Sequence, residues 1–401
     1  TAELDAAKKD SEEAAAELGI SVSTLYSYVS RNRIRSTQPP GSNSSRNRRY
    51  WKADVERLKT GKPRGEEDPL VAKTKITLLT KEGLFYKGHN VDNMAEHASF
   101  ESVAGLLWNA DSDVIFNNKL PLIPQQYKAM FKLVQSLPTT EKVMALFPFF
   151  ENSNPRAYDL TPNGFARTGA EVLRVYAAII AGVSTPSNAP IPHFLAEKLA
   201  APAGFDDIIR RLLVLVADHE LDPSTYAVRA LANTGITPYQ AVIAGQMASN
   251  GRRLWVGVAD NTSRLLNEIF TENDPANPIL RRFKSGEDLP GFEKEGVHKI
   301  LDPRPAHLLR ALNKLLVNDE EFERLNIAIE TANSLADVNP HLMLLVIFIS
   351  HKLNIKDSVL SIATLGRSAG WIAHASEQYH DQKLVRPYAD YVGELPEKIS
   401  K

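Results

Sequence analysis

The chain contains no cysteine among its 401 residues. This absence excludes disulfides, thiolate nucleophiles and metal sites with cysteine ligands, and it fits a reducing compartment. Histidines and carboxylates would have to supply any metal ligands, but they do not recur at a tight spacing, so we expect no bound metal. No apolar run reaches about 18 residues and residues 1–13 are charged, so we expect neither a membrane span nor a signal peptide. A cytoplasmic protein is the resulting expectation.

The formal net charge of −1 conceals a strong asymmetry along the chain. Residues 31–64 contain eight arginines and three lysines against Asp54 and Glu56, an excess of nine positive charges. The rest of the chain therefore carries an excess of ten negative charges. A local basic excess of this kind indicates an acidic partner for the amino-terminal region.

Two predicted helices precede this basic region. Ser11 can cap a helix that Gly19 ends, and Ser21 or Ser23 can cap a second helix over residues 24–30. Two helices joined by a glycine-containing turn have the geometry of a helix-turn-helix. The alternative interpretation is a small helical appendage whose run of charge is simply solvated.

A polar, turn-rich loop follows and ends in a basic run at residues 46–50. This run and residues 51–58 resemble the wing and the element after it in excisionase- and MerR-type DNA-binding domains. The resemblance implies a winged helix-turn-helix over residues 1–64 that binds double-stranded DNA as part of a dimer. The candidates for contacts with base edges are Ser23, Thr24, Tyr26 and Ser27, and the candidates for contacts with phosphates are Arg31, Arg33, Arg46, Arg48 and Arg49.

Beyond residue 84 the apolar residues recur mostly three and four positions apart, as at Ile208, Leu212 and Leu213. This spacing predicts a largely helical domain. Short strands are suggested only at residues 75–79 and 84–86. Glycine, proline and charge at residues 61–69 predict a linker.

A histidine between two carboxylates follows the apolar run at residues 212–216, in the sequence Asp218-His219-Glu220. Such a histidine can be held in one tautomer and can polarise a carbonyl oxygen. By itself the pattern is more typical of a helix end or of a structural core histidine. Further motifs are needed to favour the catalytic interpretation.

Those motifs lie at residues 365–378, which read Leu-Gly-Arg-Ser-Ala-Gly-Trp-Ile-Ala-His-Ala-Ser-Glu-Gln, and at Arg386-Pro387. Together with the His219 segment and with residues 85–108, they resemble the citrate synthase family in order and rough spacing. The resemblance implies an all-α citrate synthase fold over residues 84–401, with a small subdomain at approximately residues 230–345 inserted in the large one. Residues 65–83 would then be a linker with short strands.

The resemblance also implies a reaction, in which acetyl-CoA is joined to the ketone of oxaloacetate without a metal or a tightly bound cofactor. It implies that His219 holds the enol oxygen, that Arg367 binds a substrate carboxylate, and that Arg386 reaches the site of a neighbouring subunit. The expected ligands are a small carboxylate such as oxaloacetate or citrate and acetyl-CoA or another acyl-CoA. The expected assembly is a homodimer or a higher oligomer.

Two positions that move protons in the family differ in this chain. Leu254 or Trp255 occurs where the second histidine is expected, and an ungapped count places Leu342 where the aspartate is expected. The candidate surrogates are His341, beside Leu342, and His298. His298 lies in a segment whose two ends, residues 290–292 and the Asp-Pro-Arg at residues 302–304, resemble the ends of the family segment that carries the substrate histidine. General acids and bases contribute about 10²–10⁴-fold each, so we expect the ordinary condensation to be impaired.

Three functions therefore stay open. The first is a regulator that binds DNA and responds to a carboxylate or an acyl-CoA. The second is an active citrate or 2-methylcitrate synthase that works through His298 and His341. The third is a non-catalytic subunit that forms a heteromer with an intact relative and lends Arg386 across the interface. The residues at the catalytic positions favour the first.

Overall fold

A computed structural model describes residues 8–30, 34, 36–37, 48–51, 55, 73–116, 120–219, 222–253, 255–294, 301–356 and 358–381. The described residues fall into two compact units, the first ending at Lys73 and the second beginning at Thr74. Within these ranges, no helix is long and apolar enough to cross a lipid bilayer.

The first unit contains two helices and an antiparallel three-stranded sheet. Its elements are β1 (Lys8–Lys9), α1 (Ser11–Leu18), α2 (Val22–Ser30), β2 (Ser36–Thr37) and β3 (Arg49–Trp51). Strand β3 lies between β1 and β2 in the sheet. A small apolar cluster supports the unit, formed by Ala14, Ala15, Leu25, Ile34, Tyr50 and Val55.

The helix boundaries in this unit differ slightly from the prediction. Asp10 rather than Ser11 caps α1, because its carboxylate accepts the N–H groups of the second and third helical residues at 3.0 and 2.8 Å. Gly19 ends α1 in the left-handed conformation, with φ +65°. The Ser21 hydroxyl accepts the N–H of Thr24 at 3.2 Å, so α2 begins two residues earlier than predicted. DNA binding by these helices stays a prediction.

The described part of the second unit is mostly helical, as the apolar spacing predicts. Its elements are β4 (Thr77–Thr80), β5 (Gly83–Tyr86), β6 (His89–Asn90), α3 (Val91–His97), α4 (Phe100–Trp108), α5 (Ser112–Phe116), α6 (Tyr127–Leu133), α7 (Thr139–Ser153), a 3₁₀ turn (Pro155–Tyr158), α8 (Pro162–Ile180), α9 (Ile191–Lys198), α10 (Phe205–Leu215), α11 (Pro223–Ala232), α12 (Pro238–Ser249), α13 (Val256–Thr271), α14 (Asn277–Ser285), β7 (Phe292–Glu293), α15 (Arg304–Leu315), α16 (Glu320–Ala336), β8 (Asn339–Pro340), α17 (Leu342–Lys352) and α18 (Ser361–Asp381). The strands pair antiparallel as β4-β5-β6 and β7-β8.

Helix α18 runs through the main hydrophobic core, and Trp371 at its middle is fully buried. The indole N–H of Trp108 in α4 donates to the carbonyl oxygen of Ala369 at 2.9 Å. A second apolar cluster joins α13, α14 and α16, through Leu265, Ile269, Ile279, Ala328 and Ala332. All five of these residues lie within the range predicted for the small subdomain.

Two glycines let α18 approach the end of α10. A Cβ atom at Gly366 would lie 2.5 Å from a methyl carbon of Val216, and one at Gly370 would lie 2.3 Å from the carbonyl oxygen of Ala217. The spacing of four residues places both glycines on the same face of the helix. The glycines of the Leu-Gly-Arg-Ser-Ala-Gly block therefore allow a close contact that brings Arg367 beside the segment after α10.

Replacing Gly370 with alanine should destabilise the fold. The added methyl group would meet both the Ala217 carbonyl and the Asp218 carboxylate, 2.4 Å away, and neither group can move cheaply. We expect the free energy of unfolding to fall by about 1–3 kcal/mol, measured by urea denaturation. The matched control is Gly251→Ala, where the nearest atom is 3.6 Å away. Equal stabilities for the two variants would contradict this account.

Candidate active site

His219 lies in the segment between α10 and α11, and Tyr86 of β5 fixes the backbone of that segment. The Tyr86 hydroxyl donates to the carbonyl oxygen of Asp218 at 2.7 Å and accepts the Asp218 N–H at 3.0 Å. Burial raises the pKa of Tyr86 above its ordinary value, so the hydroxyl keeps its proton. Tyr86 thus fixes both the N–H and the carbonyl group of Asp218, the residue immediately before His219.

The Asp218 carboxylate joins this segment to α18. It is buried and accepts hydrogen bonds from Arg367 Nη1 at 2.7 Å, from His374 Nε2 at 3.1 Å and from the Thr77 hydroxyl. Burial alone would raise the pKa of Asp218, but Arg367 and His374 outweigh it and hold the pKa far below its usual range. Asp218 is therefore ionised and anchors Arg367.

Arg367 makes further bonds through its other terminal nitrogen. Nη2 donates to Asp222 Oδ2 at 3.0 Å, to the Thr225 hydroxyl at 2.7 Å and to the carbonyl oxygen of His219 at 3.2 Å. Asp222 also caps α11 by accepting the Thr225 N–H at 2.7 Å. The guanidinium is thus placed beside His219 by contacts on both sides of that residue.

A second ion pair joins Asp302, which precedes α15, to Arg304, the first residue of α15. Arg304 Nε and Nη2 donate to the two carboxylate oxygens of Asp302 at 2.8 to 3.0 Å. Burial opposes ionisation of Asp302, but Arg304 outweighs it and lowers the pKa of Asp302 to about 2. Both residues line the cavity that His219 also lines.

The imidazole of His219 is neutral in this setting. Burial is the main reason, and the charge of Arg304 adds to it, so the pKa of His219 falls to about 3. A neutral imidazole has one N–H donor and one acceptor nitrogen. His219 can therefore donate a hydrogen bond to a ligand oxygen without carrying a charge.

This lowered pKa makes the stability of the fold depend on pH. An unfolded histidine takes up its proton near pH 6.5, whereas His219 in the folded chain does so only near pH 3. Between these values the unfolded state binds more protons, so the free energy of unfolding should fall as the pH is lowered from about 6.5 toward 3. One such group contributes at most about 1.4 kcal/mol per pH unit.

Chemical denaturation of the wild type and of His219→Gln across this pH range tests the prediction. The variant lacks the titrating group, so its stability should decline less steeply with falling pH. Parallel stability curves for the two proteins would contradict the prediction.

His341 is the N-cap of α17. The ring atom Nδ1 accepts the backbone N–H of Met343 at 3.1 Å. The backbone N–H of His341 donates to the carbonyl oxygen of Gly291 at 2.8 Å. Burial, followed by the charge of Arg304, lowers the pKa of His341. With Nδ1 acting as an acceptor in the neutral ring, the proton lies on Nε2. His341 is consequently arranged as a hydrogen-bond donor rather than as a proton acceptor.

Glu293 is a carboxylate that the motifs did not single out. It lies in β7, opposite Asn339 of β8, and it lines the same cavity as His219 and His341. Burial raises the pKa of Glu293, and the negative charge of Asp302 raises it further. Unlike Asp302, it forms no ion pair with any residue in the described ranges.

The cavity around these groups has a volume of about 450 Å³, which is within the usual range for small-molecule sites. Its polar lining includes His219, Asp222, Glu293, Asp302, Arg304, His341 and Arg367. Its apolar lining includes Leu79, Val216, Trp255, Leu342, Met343 and Trp371. An apolar wall beside converging polar and charged groups suits a bound organic acid.

Three of the predicted site residues, His219, His341 and Arg367, thus line one cavity, and Trp255 and Leu342 line it too. His298, Arg386 and Leu254 lie outside the described residues. Homodimer formation, and a heteromer that uses Arg386, therefore stay predictions.

Only some of the residues that were predicted to contact DNA lie within the described ranges. Ser23, Thr24, Tyr26 and Ser27 lie on α2, and Tyr26 packs against the apolar cluster of the first unit. Arg49 is exposed on β3 and Arg48 directly precedes it. Arg31, Arg33 and Arg46 lie outside the described residues.

Four charged residues of the cavity were not among the site residues predicted from the sequence. They are Asp222, Glu293, Asp302 and Arg304. A signal was present for Asp302 and Arg304, because Asp-Pro-Arg is an end of the segment that matches the family. For Glu293 the signal is weak, since a single glutamate between lysine and phenylalanine is typical of a surface loop.

Comparisons with known proteins agree on one family. The family model described as "Citrate synthase, C-terminal domain" matches residues 65–388. Citrate synthase 2 of Bacillus subtilis is 25% identical over 372 residues, covering 84% of this chain and 97% of that protein. The 2-methylcitrate synthase of Shewanella oneidensis is 25% identical over 365 residues, covering 80% and 92%.

A solved structure shares the fold. It is citrate synthase from the archaeon Thermoplasma acidophilum in a ternary complex with carboxymethyl coenzyme A and oxaloacetate. The superposition has a TM-score of 0.67 at 20% sequence identity and covers 84% of this chain and 97% of the other.

Proposed function

Because this chain belongs to the citrate synthase family, we propose that it is an acyltransferase that joins the acyl group of an acyl-CoA to the ketone carbon of a 2-oxo acid. The relatives include a citrate synthase and a 2-methylcitrate synthase, each matched over most of its length. These relatives support acyl transfer better than they support the DNA-binding regulator, which the residues at the catalytic positions favoured. They also support acetyl-CoA and propionyl-CoA as the acyl donors to test first.

One observation carries the proposal: a carboxylate of raised pKa and two neutral imidazoles line a single cavity. The condensation needs a base for the proton on the thioester's α-carbon and hydrogen-bond donors for two oxygens. We assign the base to Glu293, because Asp222 and Asp302 are each bound to a guanidinium. A carboxylate with a raised pKa is a stronger base than an ordinary one.

In the proposed reaction, Glu293 takes the α-proton while His219 donates a hydrogen bond to the thioester oxygen as negative charge develops there. The resulting enol carbon forms a bond to the ketone carbon of the 2-oxo acid. His341 Nε2–H donates to the ketone oxygen, which takes that proton and becomes the hydroxyl of the product. The proton that Glu293 removed from the α-carbon then returns to His341, so that both side chains end in their starting states. Water then hydrolyses the thioester and releases CoA as a free thiol.

The test is release of free thiol by the purified full-length chain. Acetyl-CoA and propionyl-CoA are each supplied with a panel of 2-oxo acids that includes oxaloacetate. We expect thiol release that requires both substrates and a hydroxy acid product that mass spectrometry identifies. No release above the rate of either substrate alone, with any pair, would overturn the proposed function.

DNA binding by the first unit is a second candidate function. It is favoured by the exposed Ser23 on α2 and the exposed Arg49 on β3, which lie in one small unit. We expect the chain to bind a mixed-sequence DNA duplex in fluorescence anisotropy. Arg49→Ala should weaken binding and reduce the slope of log affinity against log salt by about one. The exposed Lys81→Ala is the control, and no binding at low salt would exclude this candidate.

A further inference from the structure

His374 is a fully buried histidine of α18 that contacts the segment carrying His219. It lies two helical turns after Arg367, so the two side chains are on the same face of the helix. They bind different oxygens of the Asp218 carboxylate. Arg367 Nη1 donates to Oδ1 at 2.7 Å, and His374 Nε2 lies 3.1 Å from Oδ2. A single helix therefore holds both carboxylate oxygens of Asp218.

Arg229 of α11 fixes the tautomer of His374. Arg229 Nη1 lies 3.0 Å from His374 Nδ1, and a guanidinium nitrogen can only donate a hydrogen bond. Nδ1 is therefore the acceptor, and the ring proton lies on Nε2. In the opposite tautomer two donors would face each other at Nδ1 and two acceptors at Nε2. His374 is thus arranged to donate to Asp218.

Arg229 is itself held by two residues of α18. Its Nε donates to the amide oxygen of Gln378 at 3.0 Å, and its Nη1 donates to Glu377 Oε2 at 2.7 Å. The Arg229 side chain is only 1% exposed. A buried guanidinium that is bound to a carboxylate in this way has a well-defined position. The contacts therefore continue from Glu377 through Arg229 and His374 to Asp218.

Asp218 connects these contacts to the catalytic groups. Its carboxylate orients Arg367, whose Nη2 donates to the carbonyl oxygen of His219 at 3.2 Å. Without the His374 N–H, the Thr77 hydroxyl would be the one described donor left on Oδ2. The carboxylate could then rotate and carry Arg367 with it. His219 would move as well, because Arg367 holds its carbonyl group.

We propose that His374 is a positioning residue for the acyl transfer, held in one tautomer by Arg229. It keeps Asp218 in the orientation that places Arg367 and His219 for the reaction. This inference rests on the proposed function for the reaction itself, but the arrangement that it describes can be measured without turnover. A histidine that only stabilised the fold would leave the kinetics of the folded protein unchanged.

Two variants separate the hydrogen bond from the packing. In His374→Leu a side chain of similar size lacks the donor, whereas the amide in His374→Gln can place an N–H where Nε2 lies. We expect His374→Leu to lower kcat for thiol release by about 10–10²-fold, and His374→Gln to stay within about 3-fold of the wild type. A wild-type kcat in folded His374→Leu, or equal losses in the two variants, would overturn the inference.

His374→Asn replaces His374→Leu if the leucine variant does not fold. The asparagine oxygen can still accept from Arg229, but its amide is too short to donate to Asp218. We expect the same loss in kcat of about 10–10²-fold. A folded asparagine variant with the kcat of the wild type would also overturn the inference.

The matched control is His307→Leu. His307 is a buried histidine of α15 that also lies between a carboxylate and a guanidinium. Its Nδ1 is 2.7 Å from Asp92 Oδ1, and its Nε2 is 2.9 Å from Arg211 Nη1. These partners lie on α3 and α10, so the control should lower the melting temperature but keep kcat within about 3-fold. Equal losses of kcat in His307→Leu and His374→Leu would mean that destabilisation alone explains the effect.

Nitrogen-15 NMR of the histidine-labelled full chain tests the arrangement directly. The His374 signals are identified by their absence in His374→Gln, and they should show a protonated Nε2 and an unprotonated Nδ1. The His219 signals, identified from His219→Gln, should move in the leucine or asparagine variant and stay near their wild-type positions in His374→Gln. A proton on Nδ1 of His374, or unchanged His219 signals in the folded leucine or asparagine variant, would overturn the inference.

Together these measurements separate the inference from the proposed function. If no substrate pair gives thiol release but the NMR signals are as expected, the proposed function fails and the arrangement around His374 stands. If thiol release is normal but the His219 signals do not respond to the His374 variants, the inference fails and the proposed function stands.

Discussion

Replacing His219 with alanine is expected to lower kcat/KM for thiol release by about 10²–10⁴-fold. The neutral imidazole is the group that we assign to the thioester oxygen, where negative charge develops in the first step. Its interaction is therefore stronger in the transition state than in the ground state, and the loss should appear mainly in kcat. Steady-state kinetics with saturating 2-oxo acid measure it.

The matched control is His193→Ala, an exposed histidine on α9. It should keep the wild-type rate and the wild-type melting temperature. A His219→Ala variant that is folded and retains more than about one tenth of the wild-type kcat would remove His219 from the chemistry.

Replacing Glu293 with glutamine is expected to have an effect of similar size, about 10²–10⁴-fold on kcat. Glutamine keeps the shape of the side chain but cannot accept the α-proton. The wild-type profile of kcat/KM against pH should fall on the acid side with a pKa above the ordinary glutamate value, because burial and Asp302 raise the pKa of Glu293. In the glutamine variant this acid limb should disappear.

Two further variants separate Glu293 from its neighbours. Glu293→Asp should recover part of the rate, since it restores a carboxylate. His341→Asn keeps a side chain suited to capping α17 and should slow the reaction while leaving the acid limb in place. If the acid limb follows His341 instead, the base is His341 and the assignment to Glu293 is wrong.

The fold could be predicted from the sequence because helices leave local patterns in it. Spacing of three and four between apolar residues predicts helices such as α10, in which Ile208, Leu212 and Leu213 are buried. The first strand was predicted to begin at residue 75, but β4 begins at Thr77. The second was predicted to begin at residue 84, but β5 begins at Gly83. The end of a short strand depends on which partner it pairs with, and no local pattern records that partner.

The site residues could be predicted from the sequence only where they lie in recognisable motifs. His219 and Arg367 belong to such motifs, and the glycines beside Arg367 explain why that motif packs against the His219 segment. Counting along the chain placed Leu342 where the aspartate was expected and left the base missing. In the structure, His341 and Leu342 at the start of α17 line the cavity, and Glu293 of strand β7 lines it too.

By itself, the sequence determined the helical class, the family resemblance, and two of the residues that line the cavity, His219 and Arg367. These features depend on residue spacing within one segment, which the chain carries directly. The tertiary structure alone decided that Arg304 and Arg367 are held in ion pairs and that Glu293 lines the same cavity as the two neutral imidazoles. Ion pairs and pKa values depend on distance and burial, and both are set by segments far apart in the chain, as in the contact between Arg367 and Asp218.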